Sequence, residues 1–481
     1  MRIPETGLSR EELFARLEAF RSDDVDWRSG RTWAYVYDPG RETEQVVKEA
    51  FASYLTENAL DPTAFPSALR LENELVAMAA SHLGGGADVV GNFTSGGTES
   101  ILLAVKTARD HARAHRPEIT APEIVLPETA HAAFHKAGHY LGVEPIVVPV
   151  DPTTFRADVV AVRDAITPRT ILLVGSAVSY AHGVIDPIRE LGEIALERGL
   201  LLHVDGCIGG FLLPYFARLG AAVPEFDLRV PGVTSISMDF HKYAFAAKGA
   251  SVILYRDRRL RRHQIFACAG WSGYTIVNPT VQSAKSAGPL AAAWAVLNYL
   301  GDEGYLRLAR TMLEATRHVC DGIAAIPGLR LLGRPDMNLV AFTSDEVSVF
   351  HVVDEMRERG WYVQPQLAFG ASKENIHLSV NPSGARWVDD FLADLGRSVE
   401  RARSLPRGDD AAAAIREAVA GIDPAKLSEE ELAQLLAFAG ADGTALPTRM
   451  AGINEMMNAL PPRMREAVLV EYVNQLFRQP G

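Results

Sequence analysis

Hydrophobic positions along the chain recur first at helical spacing and later in short unbroken runs. Ser9-Arg10-Glu11-Glu12 is a capping-box pattern and predicts a helix running to about Phe20. An irregular aromatic stretch, Trp27 to Tyr37, is followed by a helical pattern from about Thr43 to Leu55. Pro62 and Pro66 punctuate a loop before a third helical pattern, Leu69 to Leu83. From there β-branched runs stand at 123–126, 145–149, 170–174, 200–204, 233–237 and 251–254, mostly separated by helical patterns. Uninterrupted apolar text such as Ile171-Leu172-Leu173-Val174 and Leu200-Leu201-Leu202 belongs to strands covered on both faces. The pattern predicts an α/β domain with a largely parallel sheet.

After Gly301 a long helical pattern leads into a smaller unit, strand-like at 329–332, 338–343, 361–363 and 376–380. Ser404 to Asp410 reads as a linker, and the text to Gly481 as all-helical, with a second capping box at Ser428 to Glu431. The expected organisation is an N-terminal helical segment over 1–60, a large α/β domain over 61–300, a small α+β domain over 301–404 and a helical extension over 405–481.

Composition narrows the function classes. With 48% apolar and 22% charged residues in a chain of 481, disorder and disulfide-stapled miniproteins are excluded. A net charge of −12 makes nucleic acid or an anionic membrane a poor partner. Cys207, Cys268 and Cys320 form no C-x-x-C pair, which suits a reducing cytoplasm. The longest helix-like apolar stretch, Leu290 to Leu300, is far short of the ~18 residues of a membrane span. The N-terminal text has no apolar h-region. A cytoplasmic protein without a membrane span or a nucleic-acid partner is expected.

Three segments could carry chemistry. Asn92-Phe93-Thr94-Ser95-Gly96-Gly97-Thr98-Glu99-Ser100 precedes a helical pattern from Ile101 to His115. Glycines and hydroxyls at a helix start leave backbone N–H groups free, and the helix dipole favours an anion there; a merely well-capped helix is an equal reading of this segment alone. Gly91 and Gly96 have the spacing of a nucleotide-triphosphatase loop, but Gly97 stands where that loop needs lysine. His203-Val204-Asp205-Gly206-Cys207 ends a buried strand, where open α/β sheets bind ligands; alone, Asp205 reads more readily as a structural cap. Asp239-Phe240-His241-Lys242 follows the strand pattern Thr234 to Ser237. Together they meet the needs of pyridoxal phosphate: an amine, a carboxylate for the pyridine nitrogen and a phosphate cup. His131, His135 and His139 recur every four residues, but no Cys or acidic ligand stands at matching spacing and no H-E-x-x-H occurs, so no metal is expected. His131 reads better as an imidazole stacked on the cofactor ring.

On these residues the chain resembles the group II pyridoxal-phosphate decarboxylase superfamily, and within it most closely the sphingosine-1-phosphate lyases. The resemblance is carried by Thr94 to Ser100, Thr129 to Phe134, His182-Gly183-Val184-Ile185-Asp186-Pro187, His203-Val204-Asp205, Cys207, Gly209-Gly210-Phe211, His241-Lys242-Tyr243 and Lys248-Gly249, and similarity runs from about Trp27 to Arg403. It implies a fold-type I, aspartate-aminotransferase-like architecture and a homodimer with active sites shared between subunits. It further implies Lys242 as the Schiff-base lysine, Asp205 as partner of the pyridine nitrogen, His131 as the stacked imidazole, and His241 beside the lysine. Ser95, Gly96, Gly97, Thr98 and Ser176 are expected around the cofactor, and Tyr37 and Lys248 toward substrate.

The substrate rim departs from the family. The lyase text Asn-Pro-Leu-His reads Asn58-Ala59-Leu60-Asp61, and the text around 276–287 is rewritten, with Lys285 at the family's arginine position. Asn58, Asp61, Lys248 and Lys285 are the expected substrate contacts, and a carboxylate at 61 would repel a substrate phosphate. Weak cleavage of sphingosine-1-phosphate itself is therefore expected. The expected activity is retro-aldol cleavage of a 2-amino-3-hydroxy substrate, with or without a phosphate; decarboxylation of an amino acid is the alternative. A catalytically inactive scaffold is opposed by the intact lysine, aspartate and histidine.

Overall fold

The computed structural model describes residues 2–406, 408–438 and 448–477. Three helices, α1 (Arg10–Ala19), α2 (Arg41–Ser53) and α3 (Pro66–His82), lead into the α/β body. The first carries the expected capping box: Ser9 Oγ accepts from Glu12 N while the Glu12 carboxylate accepts from Ser9 N. The body runs β1 (Val90–Thr94), α4 (Gly97–His115), β2 (Glu123–Pro127), α5 (Ala133–Leu141), β3 (Glu144–Val148), α6 (Val159–Asp164), β4 (Thr170–Ser176) and α7 (Ile188–Arg198). It continues through β5 (Leu201–Asp205), α8 (Leu213–Arg218), β6 (Ser235–Asp239), β7 (Ser251–Tyr255), α9 (Arg258–Arg261) and a short hairpin, β8 (Phe266–Cys268) with β9 (Ile276–Asn278).

Seven strands form one sheet in the order β1-β7-β6-β5-β4-β2-β3. The pairs from β6 through β3 are parallel; β7 lies antiparallel between β6 and β1. This is the mainly parallel α/β sheet that the apolar runs predict, with β2, β4, β6 and β7 buried along their whole length. The structure adds β1 and the hairpin, which the pattern did not mark as strands. It also starts α4 at Gly97, four residues before the expected Ile101.

Helix α10 (Gly288–Ala325), broken at Gly301, connects the body to a four-stranded antiparallel sheet. That sheet is built from β10 (Leu329–Leu331), β11 (Leu339–Ser344), α11 (Val349–Glu358), β12 (Gln364–Gln366) and β13 (Asn375–Ser379), and α12 (Val388–Arg403) closes it. The strand expected at 361–363 lies at β12 instead, because Tyr362 is drawn into a bridge with Thr32. The aromatic stretch has a structural purpose here: Trp33 is buried, stacked on Phe391 at 4.2 Å and edge-on to Trp361. It ties the segment leading to Tyr37 onto the small sheet.

The tail contributes α13 (Asp409–Ala418), α14 (Glu429–Phe438), α15 (Ala451–Ala459) and α16 (Pro462–Leu476), around a cluster of Val419, Met456, Met457, Leu460, Met464 and Val468. The second capping box is present at Ser428 and Glu431. Arg407 in the expected linker, and residues 439–447 and 478–481 of the expected helical tail, lie outside the described residues. No helix among the described residues is long and apolar enough to cross a membrane.

Candidate active site

The chemistry-bearing segments meet at the carboxyl ends of the parallel strands, where Ser176 ends β4, Asp205 ends β5 and Asp239 ends β6. Ser176 and Asp205 are register partners. Asp205 is buried, and its Oδ1 accepts the N–H of Cys207 at 3.0 Å. A turn after β6 folds Lys242 back so that its Nζ lies 2.8 Å from Asp239 Oδ2. Burial opposes the charge on Lys242, yet the Asp239 carboxylate outweighs it and holds the ammonium above the usual lysine range. Burial likewise opposes the charge on Asp239, and Lys242 reverses it, holding that carboxyl below the usual range. Both shifts describe one ion pair.

His241 is neutral near pH 7, because burial pushes its pKa down to about 4 against the opposing pull of Asp239. Its Nδ1 accepts from Ala250 N at 3.2 Å, which leaves the proton on Nε2, 3.5 Å from Asp239 Oδ2. That distance is too long for a strong bond, and a neutral imidazole makes no ion pair. Lys248 is exposed, yet partial desolvation by the protein packed around it, with Lys242 nearby, pushes its pKa down to about 8. Its Nζ lies 4.4 Å from the centre of the Tyr37 ring and donates to His241 O at 3.2 Å. Tyr37 also packs edge-on against Tyr243 at 5.0 Å, and burial raises its phenol above the usual range. Tyr37 thus meets Lys248 of its own chain.

The start of α4 suits an anion. No side chain caps it, and a Cβ at Gly97 would come within 2.7 Å of Cys207 Sγ and 3.0 Å of Asp239 Oδ1. Only glycine allows the helix start to approach the strand ends this closely. The buried hydroxyls of Ser176 and Thr129 have no hydrogen-bond partner, so the protein leaves them for something else to bond. Thr129 lines a cavity of about 350 Å³ together with His131, Tyr180, His182, Leu367 and Phe369, among others. His131 Nδ1 accepts from Ala133 N at 3.1 Å, which fixes its ring at the cavity edge. His135 and His139 are exposed on α5, and no metal-binding cluster occurs among the described residues.

Two carboxylates outside the expected set brace the site. Asp239 stands three residues before the lysine at a strand end, a spacing readable as a charge partner. Glu99, buried in the first turn of α4, accepts from Ser95 N at 2.6 Å and Ser95 Oγ at 2.7 Å through one oxygen. Through the other it accepts from Val281 N at 2.8 Å, tying the loop at Ser95 to the rim. Ser100 Oγ, 2.6 Å from Thr94 Oγ1 and 2.9 Å from Ser251 Oγ, pins the same turn to β1 and β7.

The rim residues are differently disposed. Lys285 Nζ is paired with Glu72 at 3.3 Å, and Asn58 Oδ1 accepts from Leu60 N and Lys285 N. Both hold the rim together within the chain. Asp61 is exposed, its Oδ1 accepting from Thr63 N and Oγ1, and these hydrogen bonds lower its pKa.

Residues 13–345 match the family described as "Pyridoxal-dependent decarboxylase conserved domain". Residues 413–475, beyond the stretch of similarity that ends near Arg403, match "Pyridoxal-dependent enzyme, C-terminal putative HTH domain". The chain is 41% identical to the sphingosine-1-phosphate lyase of Arabidopsis thaliana over 84% of its own length and 74% of that protein's. It is 40% identical to the solved sphingosine-1-phosphate lyase Bpss2021 of Burkholderia pseudomallei K96243, with a TM-score of 0.80 over 87% of this chain and 96% of the other. It is also 32% identical to a probable L-aspartate decarboxylase of Pyrococcus furiosus, over 75% of this chain and 94% of that one. These matches, over most of the chain and on the same fold, establish that the protein belongs to the pyridoxal-dependent decarboxylase family and is a pyridoxal-phosphate-dependent lyase.

Proposed function

We propose that the protein cleaves the Cα–Cβ bond of a 2-amino-3-hydroxy substrate bearing an anionic group, in retro-aldol fashion, to release an aldehyde. The observation that carries this reading is the convergence of Lys242, Asp205 and the uncapped start of α4 on one end of the sheet, in a chain so similar to sphingosine-1-phosphate lyases. Pyridoxal phosphate, when bound, takes up the electron pair left on Cα as one of its bonds breaks. Lys242 would hold it covalently, and Asp205 would keep the proton on its ring nitrogen. Backbone N–H groups from Gly96 to Thr98, with Ser95 and Ser176, would bind its phosphate, and the His131 imidazole would cover its ring.

The remaining side chains divide by charge. Tyr37 stays a phenol and His241 a neutral imidazole, so each can donate a proton in a hydrogen bond without adding charge. Lys248 is the cation available to the substrate's anion, since Lys285 is committed to Glu72. Its ammonium is present below its pKa of about 8 and lost above it. For an anionic substrate, kcat/KM is therefore expected to fall as pH rises through about 8, and Lys248→Met should flatten that limb. An unchanged limb in the variant would remove Lys248 from substrate binding.

A homodimer in the cytoplasm completes the reading. Phe266, Trp271, Tyr274 and Val277 stand exposed on or beside the hairpin next to the rim, and α1 has no buried residue despite Leu13, Phe14 and Leu17. A second copy is the natural cover for such surface, and it would bring an active site against the exposed Asp61. The three unpaired cysteines suit a reducing compartment.

Product analysis tests the reaction. The purified holoprotein, dimeric by light scattering, is mixed with sphingosine-1-phosphate, smaller 2-amino-3-hydroxy compounds and acidic amino acids. Aldehyde release supports the lyase. Carbon dioxide would favour decarboxylation, the reading that the similarity to the probable aspartate decarboxylase supports. If Asp61 faces substrate across the dimer, Asp61→His should raise kcat/KM on sphingosine-1-phosphate by about fivefold, the scale of one exposed charge.

A further inference from the structure

The tail meets the body behind a loop that lines the cavity beside His131. Residues 367–374 join β12 to β13, and Gln366, Leu367, Phe369 and Ser372 line the cavity together with His131 and Tyr180. Its far end is tied to β11, where Lys373 Nζ donates to Ser344 O and Thr343 Oγ1 donates to Glu374 O, and its cavity-facing part, 367–372, is held by three residues distant in sequence. Glu128 Oε1 accepts from Ala371 N at 2.9 Å, and His182 Nε2 lies 3.0 Å from Ser372 Oγ. The third hold comes from the tail: Asn458, on α15, accepts the N–H of Ala368 through Oδ1 at 2.7 Å. Ala368 sits between two cavity-lining residues, so this bond fixes the backbone from which Leu367 and Phe369 project. Leu367 itself packs against both the small-sheet core and the tail cluster.

The tail is anchored separately from this contact. Asp354 accepts from Met450 N at 2.8 Å and Ala451 N at 2.9 Å, and Glu455 accepts from Ser348 Oγ at 2.6 Å. Docking and loop support therefore rest on different residues of the same helix. The charge of the unit points the same way. Residues 413–475 carry five basic and nine acidic side chains, and Arg449 is spent on Glu355 and Glu358. A module that reads nucleic acid needs a basic face.

We propose that the C-terminal helical unit is the outer support of the active-site wall, and that Asn458 is a positioning residue for substrate, acting through Ala368 on Leu367 and Phe369. The part of the substrate it serves is the apolar portion, because Ala130, Ala132, Val150, Phe155, Leu367 and Phe369 give this cavity an apolar lining. The proposal rests on the reading of the His131 cavity as the active site.

The test uses full-length holoprotein and three variants. Asn458→Ala removes the acceptor, Asn458→Asp keeps it, and Ser348→Ala loosens docking without touching the loop. Hydrogen exchange at the Ala368 amide should accelerate about tenfold in Asn458→Ala. KM should rise several-fold while kcat holds, and Asn458→Asp should restore both. Ser348→Ala should lower thermal stability and leave Ala368 exchange and KM unchanged. Unaltered exchange at Ala368 in Asn458→Ala overturns the proposal, and so does a KM change in Ser348→Ala as large as that in Asn458→Ala. Exchange is read without substrate, so a failure of the proposed lyase reaction leaves this test standing.

Discussion

Lys242→Ala is expected to lose both the long-wavelength absorbance of bound pyridoxal phosphate and substrate turnover, the latter by about three orders of magnitude or more. Borohydride reduction of the wild-type holoprotein should fix the cofactor on the peptide containing Lys242; a label on Lys248 or Lys285 would overturn the assignment. The same substitution leaves the buried Asp239 carboxylate without its 2.8 Å partner. Breaking a buried pair from one side costs about 3–5 kcal/mol, so a drop in thermal stability should accompany the loss of chemistry. Lys242→Arg separates the two effects. Its guanidinium can keep the charge pair but cannot take up the cofactor covalently, so this variant should fold stably and remain inactive.

Asp205→Asn is expected to lower kcat by about a hundredfold or more while weakening cofactor binding far less. The amide removes the negative charge at the end of β5 but keeps an oxygen able to accept from Cys207 N, so the local turn survives. What it loses is stabilisation needed mainly in the transition state, and such a loss appears in kcat. The start of α4 at Gly96 to Thr98, proposed to bind the cofactor's phosphate, belongs to a different element and is untouched. Stopped-flow turnover with a parallel cofactor titration distinguishes the effects. Near-normal kcat would remove Asp205 from the mechanism.

Legibility in the sequence followed burial and proximity. Strands β2, β4 and β7 announce themselves because both faces are covered and their text is nearly all apolar. Strand β1 reads Val-Gly-Asn-Phe-Thr, and its glycine and asparagine hide it until β7 pairs with it from far along the chain. Strand β12 reads Gln-Pro-Gln at the sheet edge, where a proline costs no ladder bond, so the apolar Trp361-Tyr362-Val363 drew the expectation away from it. Likewise, Asp205 and Lys242 were legible as site candidates because each lies in a compact motif. The commitment of Lys285 was not: its partner Glu72 is 213 residues away, and no local pattern carries such a pairing. Glu99 stood in plain text beside Ser95, but its second bond, to Val281, is again long-range.

The bracing of the site sets out which parts of this enzyme can be varied independently. Asp205 is fixed at its strand end by Cys207 N, and Asp239 and Lys242 hold each other; among the described residues none of the three hydrogen-bonds to 276–287 or 366–372. Those two loops add no strand to the seven-stranded sheet. On the proposed assignment of the site, substitutions there should alter what is accepted without disturbing how the bond is broken, which is the arrangement a lineage or a protein engineer needs in order to exchange substrates. Glu99 is the exception, since it grips Ser95 and Val281 at once. A library that diversifies the two loops should hold Glu99 constant, and selection for new substrates should return it unchanged.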